Sequence, residues 1–166
     1  ALATALGAEP VVSHSRFGTM KIDWNGEQID LAAARRERYP RPGVLPTVEL
    51  GAPIRTDLAR RDFTVNAMAI PLADPEELLD PYDGRRDLRD GLLRVIHDRS
   101  FVDDPTRAIR AARYAARFGF GLEAGTEALL RATDLGTVTP ERVAAELRRL
   151  AREATAVKGR ELLAEW

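Results

Sequence analysis

Residues 101–120 read FVDDPTRAIRAARYAARFGF, and this stretch decides the fold of the second half of the chain. At about 100° per residue its arginines fall on one stripe of a helix about 120° wide. Alanines, an isoleucine and a phenylalanine cover the opposite surface, which is expected to pack against a core. Asp104 is a favourable N-cap and Pro105 suits the first helical position, so the helix is predicted to begin there. The arginines of the stripe are Arg107, Arg110, Arg113 and Arg117.

Two interpretations of this helix are open on these residues alone. In the simpler one, the arginines form a solvated surface. In the other, Asp104 presents acceptors and Arg107 presents donors one turn away, so that together they recognise the edge of a nucleobase. Because Arg107 lies on the polar stripe, Arg107→Ala is then expected to damage this recognition and to spare the fold. Asp103 is an equally good cap, and the sequence leaves open which of the two aspartates caps the helix and which binds.

The composition is that of an ordinary globular chain. It has 166 residues, 45% hydrophobic and 31% charged, which fits one domain or slightly more. No stretch approaches twenty apolar residues, so no membrane partner is expected. The net charge of −1 excludes a global basic field of the kind that drives nonspecific nucleic-acid binding. Nearly all of the 25 basic residues are arginine, since Lys21 and Lys158 are the only lysines. The absence of cysteine excludes disulfides and is compatible with a cytoplasmic location.

The first part of the chain reads as strands and loops. Asn25-Gly26 is a strong hairpin signal between two strand-like segments. The proline- and glycine-rich segment 39–53 is predicted to be a long loop without regular structure. The predicted elements are a helix end at 1–8, a strand at 11–24 broken near Gly18, a returning strand at 29–35 and a helix at 56–72.

The second part reads as helical. A turn-rich segment at 78–96 ends in a short apolar strand, and Gly119 with Gly121 ends the arginine-rich helix. Helices are also predicted at 123–136 and at 139–154, where Thr139, Pro140 and Glu141 form a start signal. The fold class is therefore α+β in front and all-helical behind.

The segment ARRDFTVNAMAI at 59–70 carries a second polar cluster. If it is helical, Asp62 and Asn66 share a face. Asn66 lies in an apolar run and must satisfy its amide, either by a bond to the backbone or by holding a sugar hydroxyl together with Asp62. In the second case, Arg60 or Arg61 would reach phosphate oxygens. Asp30, on the returning strand, is either solvent-exposed or a metal-binding carboxylate at a sheet edge.

The order of these segments resembles the class II tRNA nucleotidyltransferase and bacterial poly(A) polymerase family. The resemblance covers residues 10 to 150. It rests on FGTMKI with IDLAAAR, on LARRDFTVNAMA, on LLDPYDGRRDL, on FVDDPTRAIRAARYAARFGF and on PERVAAELRRL. It implies an incomplete polymerase-β-like nucleotidyltransferase head, a small mixed sheet with helices, over residues 1–97, and an all-helical neck over residues 98–166.

The family adds nucleotides to RNA 3′ ends without a nucleic-acid template, so the resemblance implies CTP, ATP, Mg²⁺ and a tRNA or other RNA 3′ end as ligands. By position, Asp104 and Arg107 match the residues that read the incoming base. Asp103 matches a position that is usually Glu, and Asp30 an acidic position that serves as catalytic or metal-binding carboxylate. Arg60, Arg61, Asp62 and Asn66 match a motif for ribose and triphosphate, Arg110 and Arg113 match arginines that support the site or meet phosphate, and Glu141 and Arg142 match a motif that braces the base-reading helix.

One part of the family pattern is missing from these residues. The glycine-rich G-G-x-V-R-D segment and the D-x-D strand that holds the metals are expected just before Ala1. Without clustered carboxylates, Asp30 alone is expected to bind magnesium weakly, and the 166 residues alone are expected to be inactive. The expected function is that of a piece of an RNA 3′-terminal nucleotidyltransferase. The alternatives are a non-catalytic nucleotide- or RNA-binding module and an interaction domain with solvated arginines.

Overall fold

The computed structural model describes residues 9–14 and 18–166, with the backbone alone at 9–14. The helix end predicted at 1–8 lies outside the described residues. The chain forms two compact units. The first comprises residues up to Arg38 together with Thr47–Asp57, and the second comprises Tyr39–Pro46 and Leu58–Trp166.

The first unit contains a three-stranded antiparallel sheet in the order β1-β2-β3. The strands are β1 (Glu9–His14), β2 (Thr19–Trp24) and β3 (Glu27–Ala32). Asn25 and Gly26 form the two-residue loop between β2 and β3, with φ angles of 55° and 82°. Since Asn and Gly tolerate such angles better than other residues, the loop closes a tight hairpin. The predicted hairpin and the predicted break near Gly18 are confirmed.

The same unit contains a second antiparallel pair, β4 (Arg35–Arg38) with β5 (Thr47–Leu50). The prediction that 39–53 has no regular structure is wrong for the four residues of β5. TVEL alternates polar and apolar side chains, and it pairs residue by residue with β4 from Arg35↔Leu50 to Arg38↔Thr47. The two strands lie on opposite sides of a loop, so their pairing cannot be predicted from the local run of Pro and Gly residues.

The helix predicted over 56–72 is also wrong in extent. Helix α1 spans Ile54–Ala59, and only a single 3₁₀ turn follows at Thr64–Asn66. Phe63 between them is extended, with φ −130° and ψ 154°, because the Asp62 side chain accepts its backbone N–H (3.0 Å). Such local bonds from an Asp side chain compete with helix formation. Phe63 instead forms a bridge to Val95.

The second unit is mostly helical around one parallel strand pair, β6 (Leu92–Leu93) with β7 (Gly121–Leu122). The arginine-rich helix lies between these two strands in sequence, and Gly119, with φ 70°, ends it as predicted. Its predicted start at Pro105 is wrong by two residues, since the helix begins at Arg107 with Thr106 as its N-cap. Residues 156–165 form a helix that was not predicted from the sequence. The helices are α2 (Gly84–Asp90), α3 (Ser100–Asp103), α4 (Arg107–Phe118), α5 (Ala124–Arg131), α6 (Pro140–Ala151) and α7 (Ala156–Glu165).

The core of the second unit confirms most of the packing face predicted for α4. Ala108, Ala111 and Ala115 of α4 lie in one buried cluster with the aromatic and aliphatic side chains of neighbouring segments. Phe118, expected on this face, is 55% exposed. The other buried members of the cluster are Phe63, Leu93, Val95, Phe101 and Leu130.

The last helix packs closely against its neighbours through a small residue. A Cβ at Gly159 would lie 2.4 Å from Leu150 Cδ1 and 3.6 Å from the carbonyl oxygen of Ala112. Gly159 therefore lets α7 approach both α4 and α6.

Residues on both sides of position 97 belong to this second unit, since β6 pairs with β7 across it. The family boundary between residues 97 and 98 stays a prediction. No helix in the described part of the chain is both long and apolar enough to cross a bilayer. The α+β fold class itself is confirmed.

Candidate nucleotide-binding site

The arginine stripe of α4 faces carboxylates rather than solvent along most of its length. Arg107 is 4% exposed and Arg113 is 9% exposed, so the prediction of a solvated stripe is wrong for both. Arg110 pairs with Asp62, while Arg113 and Arg117 both approach Glu153, with N···O distances of 3.5 and 3.7 Å. The physical reason is that other segments bring acceptors to the stripe, a carboxylate to Arg113 and uncharged oxygens to Arg107, and a guanidinium group is buried only where acceptors meet it.

Arg107 is buried, and its hydrogen bonds connect two other segments of the chain. Its Nη1 donates to Ser100 Oγ (2.6 Å) and its Nη2 donates to the backbone carbonyl of Arg60 (2.8 Å). These bonds use two of the five N–H groups of the guanidinium. The expectation that Arg107→Ala spares the fold is therefore corrected, because its loss would remove a donor from the fully buried Ser100 hydroxyl and from the partly buried Arg60 carbonyl.

The two oxygens of the Asp104 carboxylate differ in their contacts. Oδ1 accepts from the backbone N–H of Thr106 (3.2 Å), from the Thr106 hydroxyl (2.6 Å) and from Arg142 Nη2 (2.8 Å). Oδ2 accepts from no described residue, and the side chain is 19% exposed. The bonds to the backbone and to Arg142 use one oxygen only, and recognition of a base by the other stays a prediction. One oxygen orders the backbone before α4, and the other remains an available acceptor.

Arg142 and Gly43 fix the position of Asp104. Arg142 Nη1 donates to the carbonyl oxygen of Gly43 (2.6 Å) while its Nη2 holds Asp104. Gly43 has a φ of 68°, and a Cβ there would lie 2.3 Å from the Thr137 carbonyl oxygen, so a side chain would be excluded. The structure thus places Arg142 against the start of α4, where the sequence expected a brace.

The remaining members of that group make fewer contacts. Glu141 is exposed and has no hydrogen bond to the described residues. Asp103 accepts from Arg99 (3.2 Å), so it is not the residue that orders the backbone before α4.

Asp62 and Asn66 are neighbours, although not on a helical face. Asp62 Oδ1 accepts from the Phe63 backbone N–H (3.0 Å) and from Asn66 Nδ2 (2.9 Å), and its Oδ2 accepts from Arg110 Nε (2.8 Å) and Nη2. Burial alone would raise the pKa of Asp62, but the Arg110 charge and these hydrogen bonds outweigh it and hold the pKa below its ordinary value. The carboxylate is therefore ionised at neutral pH.

Arg60 and Arg61 immediately precede this pair. Arg60 is partly buried and Arg61 is exposed. Their side chains are thus adjacent in sequence to Asp62, as the motif requires, and their contacts with phosphate stay a prediction.

Asp30 belongs to the first unit. It is solvent-exposed, which is one of the two interpretations that the sequence left open for this residue. Its side chain is 75% exposed and lies 3.3 Å from Lys21 Nζ. Within residues 18–166 and the other described positions, no group of three His, Cys, Asp or Glu side chains forms a metal site. The catalytic or metal-binding role of Asp30 stays a prediction.

Sequence reasoning missed two buried polar elements of the second unit. Ser100 is fully buried beside Arg107, and a single serine in SFVDD gives no signal of this contact. Asp87, 1% exposed, accepts from the Thr64 hydroxyl (2.7 Å) and from Arg94 Nε (3.0 Å). The segment 78–96 is predicted to be turn-rich, and Asp80 accepts the N–H groups of Gly84 and Arg85 as in a turn. The prediction is wrong for Asp87 itself, which lies in helix α2.

Comparison with known proteins identifies the family of this chain. The sequence profile of the poly(A) polymerase head domain matches residues 3–94. The chain belongs to this family.

Its relatives are similar over most of the chain. The A-adding tRNA nucleotidyltransferase of Halalkalibacterium halodurans is 42% identical, with 94% of this chain and 38% of the relative covered. The CC-adding tRNA nucleotidyltransferase of Deinococcus radiodurans is 41% identical, with 100% and 45% covered. The chain thus spans about two fifths of the length of these curated relatives.

Solved structures agree with this assignment. An apo form of a CCA-adding enzyme superposes with a TM-score of 0.89 at 38% identity, covering 99% of this chain and 40% of that one. A tRNA nucleotidyltransferase complexed with a primer tRNA and an incoming ATP analogue gives a TM-score of 0.82 at 36% identity, covering 99% and 47%. The α+β fold of a nucleotidyltransferase head is therefore shown.

Replacing Arg107 by alanine is expected to lower the free energy of unfolding by about 3 kcal/mol, since two hydrogen bonds from a buried charged group are lost. Urea unfolding followed by circular dichroism measures this. Arg117→Ala on the same helix is the matched control, because its side chain is 52% exposed, and a change within about 0.5 kcal/mol is expected there. Equal effects of the two variants would contradict the structural role of Arg107.

Acidification below neutral pH is expected to destabilise the protein through His97. Burial and the nearby charge of Arg107 lower the pKa of His97, so the unfolded chain takes up a proton more readily than the folded one. The contribution to stability is complete above the ordinary pKa of about 6.5 and is lost as the pH falls through the lowered value.

Urea unfolding of wild type and His97→Gln at several pH values between 8 and 5 measures this effect. The free-energy difference between the two proteins should shift in favour of His97→Gln as the pH falls. A difference that is constant with pH would contradict it.

Proposed function

We propose that this chain is part of an RNA 3′-end nucleotidyltransferase, which transfers CMP or AMP from CTP or ATP to the 3′ hydroxyl of a tRNA without a nucleic-acid template. Its similarity to A-adding and CC-adding tRNA nucleotidyltransferases at 41–42% identity supports this activity. Cytoplasmic tRNA is the substrate proposed. Relatives that add A and relatives that add CC match about equally well, and the proposal covers both products.

The observation that carries the proposal is the half-occupied carboxylate of Asp104. Arg142 and Thr106 hold Oδ1, so Oδ2 is an acceptor fixed in direction before any ligand arrives. Cytosine and adenine each present an amino donor on the pairing edge, whereas uracil and guanine present a carbonyl oxygen at the equivalent position. An acceptor at this place therefore selects the bases of CTP and ATP.

Arg107 provides the second part of the base-reading edge. It lies one turn beyond Asp104 and uses two of its five N–H groups within the protein, so three donate to no described residue. A remaining N–H would donate to the ring nitrogen beside the amino group of cytosine or adenine. Because Arg107 is only 4% exposed, while the Asp104 side chain is 19% exposed, we assign the larger share of recognition to Asp104.

The other arginines divide between support and phosphate binding. Arg110 is engaged by Asp62 and Arg113 by Glu153, so both are proposed to support the site through their ion pairs. Arg60 and Arg61 are proposed to meet the triphosphate, with Asn66 close to the sugar.

Magnesium is the metal that the family implies. The described residues do not fit a magnesium site, since Asp30 is paired with Lys21 and no cluster of three acidic or histidine side chains exists among them. No step of the reaction is therefore assigned to a metal held by these residues. A magnesium requirement stays a prediction for the full-length protein.

Transfer activity is tested directly by incubating the full-length protein with tRNA that lacks its 3′ terminus, with CTP, ATP and magnesium. Addition of C or A residues, seen on sequencing gels, is the expected result. The isolated 166 residues are expected to extend no tRNA, because their described part holds no carboxylate cluster. Nucleotide binding by the full-length protein without any transfer would contradict the enzyme and favour a non-catalytic binding module.

Asp104→Asn is expected to weaken selection against UTP and GTP in the full-length protein. If Oδ1 stays bound to Arg142, the new amide nitrogen replaces Oδ2 and turns an acceptor into a donor, which suits a carbonyl oxygen. The loss of discrimination should be about 1–3 kcal/mol, measured as kcat/KM for each nucleotide. Asp103→Asn is the control, because Asp103 pairs with Arg99, and unchanged selection in both variants would remove Asp104 from base recognition.

A further inference from the structure

The second unit contains a small, mostly apolar pocket with a volume of about 190 Å³. It lies where the loop after β4, the helix α3 and the end of the helix α5 come together. Its apolar lining consists of Pro42, Phe101, Val102, Pro105, Leu129 and Ala132. Asp104 is not among the described lining residues, so the pocket does not include the acceptor proposed to read the base.

The fold holds the walls of this pocket in place. Phe101 belongs to the buried core of the unit. The backbone N–H of Gly43 donates to the carbonyl oxygen of Val102 (3.3 Å), which ties the loop to α3 next to Pro42. Val102 is apolar and yet 42% exposed. The pocket is therefore formed in advance, and a guest would cover apolar surface there without having to order it first.

Two carboxylates belong to the pocket. Asp98 and Asp134 are exposed and contribute to its lining, and the described lining residues include no Lys or Arg. Asp98 accepts no hydrogen bond from a described residue. Asp134 Oδ1 accepts from the backbone N–H of Gly136 (2.8 Å), while its Oδ2 accepts from no described residue. Three of the four carboxylate oxygens thus have no donor within the described part of the chain.

The arginines that are nearest to these aspartates in sequence pair with other carboxylates. Arg99 lies 3.2 Å from Asp103, and Arg131 lies 2.7 Å from Glu127. The pocket therefore presents negative charge without a cation of its own. Such a site attracts a positively charged group and repels phosphate, so it favours a cationic guest over a nucleotide or an RNA.

The size of the pocket suits a single side chain. Pockets for small-molecule ligands typically enclose about 300–1,000 Å³, which is more than this one offers. Lys and Arg lay their methylene stems along apolar surface and keep the charged end in water, which fits apolar walls with exposed carboxylates. Of these two residues, arginine is enriched among the anchors of protein–protein interfaces, and its planar guanidinium binds carboxylates through paired hydrogen bonds.

We propose that this pocket is a docking site for an arginine side chain of a protein partner, with the methylene stem against Phe101, Val102 and Leu129 and the guanidinium at Asp98 and Asp134. The proposal goes beyond the proposed function and does not depend on it, because neither the nucleotide nor the transfer reaction takes part.

The experiment uses an isolated arginine side chain as the probe. N-acetyl-arginine methylamide is titrated into the full-length protein, and the NMR signals of ¹³C-labelled Leu and Val methyl groups are followed. The signals of Val102 and Leu129 should shift and saturate, whereas those of Leu147 and Val157, exposed on α6 and α7, should stay. N-acetyl-citrulline methylamide is the matched ligand, since it has nearly the same shape and no charge, and it should bind about fivefold more weakly.

Variants test the role of the two carboxylates. Asp98→Asn and Asp134→Asn should each weaken binding of the arginine probe about two- to fivefold. Both are expected to fold, because Asp98 has no described partner and Asn at position 134 can still accept the Gly136 N–H. Asp74→Asn is the matched control, because Asp74 is exposed and lies outside the pocket, and it should bind the probe as the wild type does.

A second variant fills the pocket rather than changing its charge. Ala132 is exposed and belongs to the lining, so Ala132→Phe places a large side chain there and should abolish the shifts of the Val102 and Leu129 methyls. Probe binding that survives this substitution would place the arginine elsewhere and overturn the proposal.

Other results would also overturn it. They are the absence of methyl shifts in the wild type, equal binding of the arginine and citrulline probes, and an equal loss in Asp74→Asn. Spermidine and tRNA are added as competitors. Tighter binding of spermidine than of the probe would assign the pocket to a free polyamine, and release of the probe by tRNA would place RNA on this surface.

Discussion

The second unit depends on a single constraint, that the buried guanidinium groups of α4 must meet acceptors supplied by distant segments. Arginine remains charged at any pH that a folded protein experiences, so it is buried only with a partner. Asp62 supplies that partner to Arg110, and Glu153 supplies it to Arg113. Breaking such a partly buried pair is destabilising, because the remaining charge is left without compensation. The pairs therefore hold the segment before the 3₁₀ turn and the segment after α6 in place against α4.

The same constraint explains why parts of the fold were predictable from the sequence and others were not. The Asn25-Gly26 hairpin and the existence of the arginine-rich helix, though not its first residue, were predicted because local chemistry determines both, by turn preference in one case and by an apolar stripe in the other. The prediction of a helix over 56–72 was wrong because the Asp62 side chain accepts from the backbone N–H of Phe63 and from Arg110. That arrangement requires Arg110, 48 positions away, which no local pattern reveals.

The candidate site divides in a similar way. Family resemblance assigned Asp104, Arg142, Asp62 and Asn66 to the candidate site, and the structure brings them into the pairs Asp104–Arg142 and Asp62–Asn66. The burial of Arg107 was not predicted, since its acceptors are a serine hydroxyl and a backbone carbonyl. From the pattern of polar residues alone, every arginine is predicted to be exposed to solvent. The backbone carbonyl that accepts from Arg107 comes within reach of it only in the folded chain.

The two aspartates show how one residue type serves two purposes. Asp104 binds three donors through Oδ1 and leaves Oδ2 without a described partner, whereas Asp62 uses both oxygens for the protein. An oxygen that is held in direction but not occupied loses little on binding a ligand, because no existing bond must break and no side chain must be ordered. A fully occupied carboxylate has the opposite property, since each of its bonds must be exchanged. The proposed contact of Asp104 with a nucleotide therefore rests on the occupancy of its two oxygens more than on its being an aspartate.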